Sequence, residues 1–234
     1  MLYDLNIQAK TPDSAKLFIQ NLSKTVQDEV VISFLNHEKN IATENSLRDF
    51  GELYGITVLP AVGLKTADGV HVAVLEPKKP TGNYLSNVRK IRSSRMLFIM
   101  ENLLKIGASV DPISMCSERG LETEDIYKLT TADLISEILC NEHCSCIASA
   151  QSIYESCALP HPKRLTFAEL LKVIRGERIF IVNPENHPDL EYTKEMMGAI
   201  KGFIIDYDSA YASDVQHIAN EYGLECFNGS GSII

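Results

Sequence analysis

Several apolar runs in this sequence end on polar residues, and those ends are where chemistry would sit. The first run leads into Asp4-Leu5-Asn6-Ile7-Gln8, the second into Asn36-His37-Glu38 and the third into Pro60-Ala61-Val62-Gly63. A later one leads to Val182-Asn183-Pro184, and the last to Gly229-Ser230-Gly231-Ser232-Ile233. In parallel sheets and barrels, ligands bind at the carboxyl ends of the strands. Imidazoles and carboxylates gathered there would hold a divalent ion and acidify its water, whereas carboxamides are weak neutral donors and glycine offers none. Asp13, His37 and His71 carry side chains of these types near the runs, and each has a plain structural reading. Asp13 falls in the first turn of a helix, where the dipole favours a carboxylate whatever the function. His37 follows a buried strand and is either a ligand or a hydrogen-bonded pocket histidine, and His71 in its β-branched run is either a ligand or half-buried packing.

Other clusters are less specific. Cys140, His143, Cys144 and Cys146, with Cys157 beyond, have zinc-like residue types but lack a second matched pair of ligands, so they read as thiols. Arg89, Arg92 and Arg95 recur every three residues on one helical pattern, as a solvated face or as a phosphate clamp in which Arg92 and Arg95 bind an anion. The Gly229-to-Ser232 run could form a backbone anion nest. His187-Pro188 offers an alternative register for Asn183-Pro184, but the run from Arg178 to Val182 leads directly into Asn183.

The elements that must position these residues alternate. A first strand spans Met1 to Ala9, and Thr11-Pro12-Asp13-Ser14 starts a helix with Thr as N-cap and Pro in the first turn. Val30 to Leu35 is a strand buried on both sides. A helix from about Thr43 to Tyr54 closes at Gly55, and Ile56 to Leu64 is a further buried strand. Ala67-Asp68-Gly69 turns into Val70 to Leu75 as a hairpin. From Arg89 to Gly107 the spacing is helical, and further helix starts fall at Thr123 and Thr131. Alternation resumes with a helix capped by Thr166, a strand Arg178 to Val182, a helix Asp189 to Ile200, a strand Gly202 to Tyr207, a helix Ser213 to Tyr222 and a strand Leu224 to Phe227. The expected organisation is an α/β sheet or barrel over 1–87 and 164–234, interrupted by a helical subdomain over 88–163.

With 234 residues, 45% of them hydrophobic and 23% charged, the chain has the balance of an ordinary globule. A net charge of −9 argues against a bulk grip on nucleic acid or on an anionic membrane. No apolar run is long enough to span a bilayer and no signal-peptide layout precedes the first strand, so a cytoplasmic location is expected. Six cysteines in such a chain default to free thiols.

Taken in order, the strand ends resemble one family, the PHP (polymerase and histidinol phosphatase) domain phosphoesterases, and within it the TrpH-like branch that carries a helical insertion. There the first strand ends in Asp-Leu-His-x-His with an Asp soon after, the second in Asp-His and the third in Pro-Gly-Val-Glu. A His lies on the next strand, His-Pro follows the insertion, and Gly-Ser-Asp-x-His closes the set. The likeness extends to Gly55-Ile56-Thr57-Val58-Leu59-Pro60 before the third strand end and to Arg89, Arg92, Arg95 and Met96 where the insertion begins. It implies a distorted (β/α)7 barrel holding two or three divalent ions (Mn, Fe or Zn) that hydrolyse phosphoesters.

Only Asp13, His37 and His71 keep the residue type of the family's ligands. Asn6 and Gln8 replace the His-x-His pair, Gly63 the bridging Glu, Asn183 the His of His-Pro, and Gly231 and Ile233 the final Asp and His. The resulting expectation is a pseudoenzyme with no catalytic residues and with no metal or a partial site, binding a small anionic or phosphorylated ligand or a protein partner. The alternative is an active phosphoesterase with a reduced site at His37 and His71, assisted by Asp13.

Overall fold

In the structure, a computed structural model, the described residues are 1–9, 11–37, 44–105, 107–108, 110–140, 152, 162–186 and 193–233; for 36, 37, 44, 45, 131, 139 and 140 the description stops at the backbone. The chain divides into two compact units, Met1–Tyr84 with Arg164–Ile234, and Leu85–Lys163.

The first unit is mixed α/β. Its strands are β1 (Leu2–Ile7), β2 (Val30–Phe34), β3 (Asn36–His37), β4 (Ile56–Val58), β5 (Ala61–Lys65), β6 (His71–Leu75), β7 (Arg178–Val182), β8 (Gly202–Ile205) and β9 (Glu225–Asn228). Helices α1 (Pro12–Thr25) and α2 (Glu44–Leu53) follow β1 and β3. The ladders form two sheets, β1-β2-β4 and β3-β5-β6-β7-β8-β9. All pairs are parallel except β6, which runs antiparallel to β5 and β7 because the Ala67–Gly69 turn makes a hairpin, with Gly69 at φ 87.

The expected single strand Ile56–Leu64 is broken at Leu59-Pro60, where Pro60 lacks the N–H a continuous ladder needs. Two sheets therefore replace one closed ring of ladders among the described residues. A lone parallel bridge between Gln8 and Ile233 ties the segment after β9 to the end of β1.

Two apolar clusters hold this unit. Leu5, Val31, Ala73, Phe180 and Ile204 belong to one. Ile7, Ala15, Ile19, Ile32 and Leu47 belong to the other and seat α1 against β2. Thr11 caps α1 as expected, in a reciprocal pair with Ser14.

Helix α3 (Lys79–Lys105) starts ten residues before the expected Arg89. Its first turn is capped from far along the chain. The Glu177 carboxylate, 2% exposed, accepts from Lys78 N at 2.9 Å and from Thr81 N at 3.2 Å. No local signal in 77–84 reveals a cap that lies 99 residues away.

The second unit is helical: the rest of α3, α4 (Pro112–Glu118), a 3-10 turn (Thr123–Lys128) where a helix was expected, and α5 (Thr131–Cys140). Ile99, Leu103, Met115, Leu134 and Ile138 lie in its core. Before α5, Thr130 N and Oγ1 each donate to Asp133 Oδ2 at 2.7 Å, and Arg119 Nε donates to Oδ1 at 3.2 Å. Burial raises the Asp133 carboxyl, but these hydrogen bonds and the Arg119 charge outweigh it and the net shift is downward. In the first unit again, α6 (Phe167–Val173), α7 (Lys194–Ala199) and α8 (Ala212–Tyr222) complete the fold. The expected Asp189–Ile200 helix is present as α7 behind the cap Thr193, and 187–192 lie outside the described residues.

Two predictions follow from these caps. Glu177→Ala is expected to cost about 2–3 kcal/mol in urea denaturation, because it strands two backbone donors that a charged acceptor now serves. Asp133, whose folded pKa is depressed, contributes stability that is complete above the ordinary carboxylate range and is lost as pH falls through the folded value. Asp133→Asn should therefore cost about 1 kcal/mol at pH 7, with the gap from wild type closing on acidification.

Candidate functional site

Strict alternation along β1 would put Asn6 and Gln8 on the face opposite Tyr3 and Leu5. The ladder to β2 shows otherwise. Asp4 pairs with Ile32 but Ile7 pairs with Phe34, so β1 spends one residue more than its partner and carries a bulge. The packing agrees: Leu5 joins the cluster with Phe180, whereas Ile7, two residues on, joins the cluster with Ala15 and Ile19. The extra residue turns Asn6 and Gln8 toward the side that Leu5 already faces.

There they line a small, half-open pocket of about 20 Å³, on the scale of a bound water. Its polar wall is Asn6, Gln8 and His71, with Gly63 adding backbone alone. Leu35, Leu64, Val72 and Val182 supply apolar surface. Asn6 is only 4% exposed, and its backbone N–H donates to Asp4 Oδ1 at 3.4 Å.

The loop after β9 fixes Asn6 from the other side. Ser230 N donates to Asp4 Oδ1 at 2.9 Å, and Ser230 Oγ donates to Asp4 Oδ2 at 2.7 Å. Ser230 and Ser232 share a hydroxyl contact of 2.7 Å, and Gln8 N donates to Ser232 O at 2.8 Å. Gly229 is required for the close approach: a Cβ there would stand 2.4 Å from Ile204 Cγ2 and 2.6 Å from Asn6 Cβ. Gly231, at φ 64, has the left-handed backbone that glycine tolerates, and its missing Cβ would lie 3.7 Å from Asn6 Nδ2.

The candidates named from sequence thus separate. Asn6, Gln8, Gly63 and His71 meet at the pocket. Gly231 stands behind Asn6. His37 adjoins through its backbone, paired with Gly63 in the β3–β5 ladder, and its side chain lies outside the described set. Asn183 follows Val182 at φ 47 but does not line the pocket, and among the described residues its buried Oδ1 has no partner, nor has Oε2 of Glu185. Asp13 is exposed in the first turn of α1. Arg92 and Arg95 belong to the second unit. Cys140 is described at its backbone alone, and His143, Cys144, Cys146, Cys157 and His187 lie outside the described residues.

Sequence reasoning missed the apolar half of the pocket, which pattern alone assigns to core, and the role of Asp4. Its signal was present in the spacing from Asp4 to Asn6. Cys226, the described thiol of this unit, is pushed up to about 11 by burial and is no nucleophile at neutral pH.

No family model matches the chain, and no curated protein matches it. Among solved structures, a Bifidobacterium adolescentis protein assigned as a metal-dependent phosphoesterase is similar over 98% of this chain and 87% of that one, with a TM-score of 0.57 and 14% identity. The likeness is one of fold. Among the described residues no group of three or more His, Cys, Asp or Glu could hold a metal ion, and no helix is long and apolar enough to cross a membrane. The described pocket wall offers amides and one imidazole, a donor set that does not fit a cluster of divalent ions.

Gly229→Ala is expected to lower stability by about 1–3 kcal/mol through overpacking against Ile204 and Asn6. Asp4→Ala should leave the core folded but free the loop, read as faster amide hydrogen exchange at Ser230.

Proposed function

We propose that this protein has a PHP-type, TrpH-like phosphoesterase-like fold, its two sheets an opened form of the family's distorted (β/α)7 barrel, and that it binds a small molecule without hydrolysing it. One observation carries the reading: Asn6, Gln8 and Gly63 line the pocket at the positions where the family it resembles sets two imidazoles and a bridging carboxylate. Metal-assisted hydrolysis needs ligands that hold the ion and lower the pKa of its water, and carboxamides do neither well. Asp4, the apolar walls and the glycine-bearing loop keep the cavity shaped, so binding outlasts the chemistry.

A second reading has its own support. Gly63 and His71 both line the pocket, and His37 pairs with Gly63, so the two histidines stand on the two strands that flank β5. They would form a reduced metal site in a working phosphoesterase.

Elemental analysis of the purified protein separates the two. Substoichiometric Mn, Fe or Zn and no metal-stimulated release of phosphate from a phosphomonoester are expected. Two or more metals per chain, or metal-dependent turnover abolished by His37→Ala, would establish the hydrolase instead.

A further inference from the structure

Away from the barrel pocket, the helical unit gathers positive charge around one phenol. Arg89 and Arg92 stand three residues apart on α3 and are neighbours on its surface. Tyr127, in the 3-10 turn, is 7% exposed and has two cations over its ring. The Arg89 guanidinium carbon is 5.3 Å from the ring centroid and Lys128 Nζ is 5.8 Å from it. Burial pushes the Tyr127 phenol up, Arg89 and Arg92 oppose that shift and Asp125 adds to it, so both guanidinium charges are felt at the same oxygen. Asp125, the carboxylate of this group, is already engaged: Lys128 Nζ holds it at 2.9 Å, with both side chains largely buried.

Arg89 is left with a donor to fill. Its Nε is buried and has no hydrogen-bond partner among the described residues. The Tyr127 ring attracts the cation but offers no lone pair to that N–H. A planar guanidinium takes two oxygens of one oxyanion through a pair of parallel N–H groups, and Nε–H with one Nη–H is such a pair. The side chain is half-buried, open enough for a small ion to reach it. The sequence put an anion on Arg92 and Arg95. Arg95, only 6% exposed, is too deep to present its charge, and Arg89 takes that place one turn earlier. A chain of net charge −9 repels anions in general, so one is kept only where donors are aimed at it.

We infer that the helical unit carries an anion site of its own on α3, in which Arg89 grips a phosphoryl group through Nε and Nη and Arg92 adds its charge. Tyr127 is the platform that steadies Arg89. Free phosphate and the phosphate of a larger molecule share this chemistry. The barrel pocket has no part in it, so its failure would leave the reading of the pocket untouched.

NMR of the arginine Nε–Hε groups in the full chain tests the inference, with inorganic phosphate and O-phosphoserine as probes and chloride at matched ionic strength as the comparison. The Arg89 Nε–Hε signal should shift and saturate at millimolar probe. A response to both probes means that the free ion suffices, and a response to phosphoserine alone means that the phosphate arrives on a larger molecule; either supports the site. Arg89→Gln should abolish the saturation seen at Arg92. Arg89→Lys, which keeps the charge but loses the paired N–H groups, should bind about tenfold more weakly, and it carries the test if the first variant fails to fold. No saturable shift with either probe would overturn the inference. So would an equal shift with chloride, or an Arg89→Lys variant that binds as tightly as the wild type.

Discussion

One extra residue in β1 governs what this molecule can do. Between Asp4 and Ile7 the first strand slips out of step with its neighbour, and the slip decides which side chains reach the cavity and which pack beneath α1. Without it, Asn6 and Gln8 would face the helices, where uncharged amides would find few partners. With it, the strand serves two environments at once, apolar on the helix side and polar at the pocket. Asp4, just before the slip, then fastens the final loop through both carboxylate oxygens.

Much of the architecture could be read from the residues. Buried runs such as Val30–Phe34 and Arg178–Val182, the Thr11 and Thr166 caps, and the hairpin at Asp68-Gly69 all carry their cause within a few positions. What escaped reading has its cause elsewhere in the chain. Helix α3 begins where Glu177 reaches it, and nothing near Lys79 announces that. The break at Leu59-Pro60 was visible as a proline but hidden inside a convincingly apolar run. The pocket was half legible: strand ends drew attention to Asn6, Gln8, Gly63 and His71. Asn183 was reached by the same argument but does not line the cavity, because a register after a strand end fixes a residue's level and not its direction.

The scaffold does not depend on the ligands that the family resemblance leads one to seek. The cluster of Leu5, Val31 and Phe180 and the cluster of Ile7, Ile19 and Ile32 are closed by aliphatic and aromatic contact. Amide side chains at the rim therefore leave that packing intact and give the cavity a hydrogen-bonding wall. A similar backbone at 14% identity is the expected result, since shape is held by the core and chemistry by a few rim residues.

The tie between Asp4 and Ser230 spans 226 residues of sequence. Contacts of such separation are slow to form, because the entropy of closing the intervening chain must be met before they return any energy. The helical unit, whose core contacts lie within Met96–Ile138, is free of that delay. The cavity is accordingly a late structure in the folding sequence. A molecule that binds it recognises the finished protein and withholds stabilisation from partly folded forms.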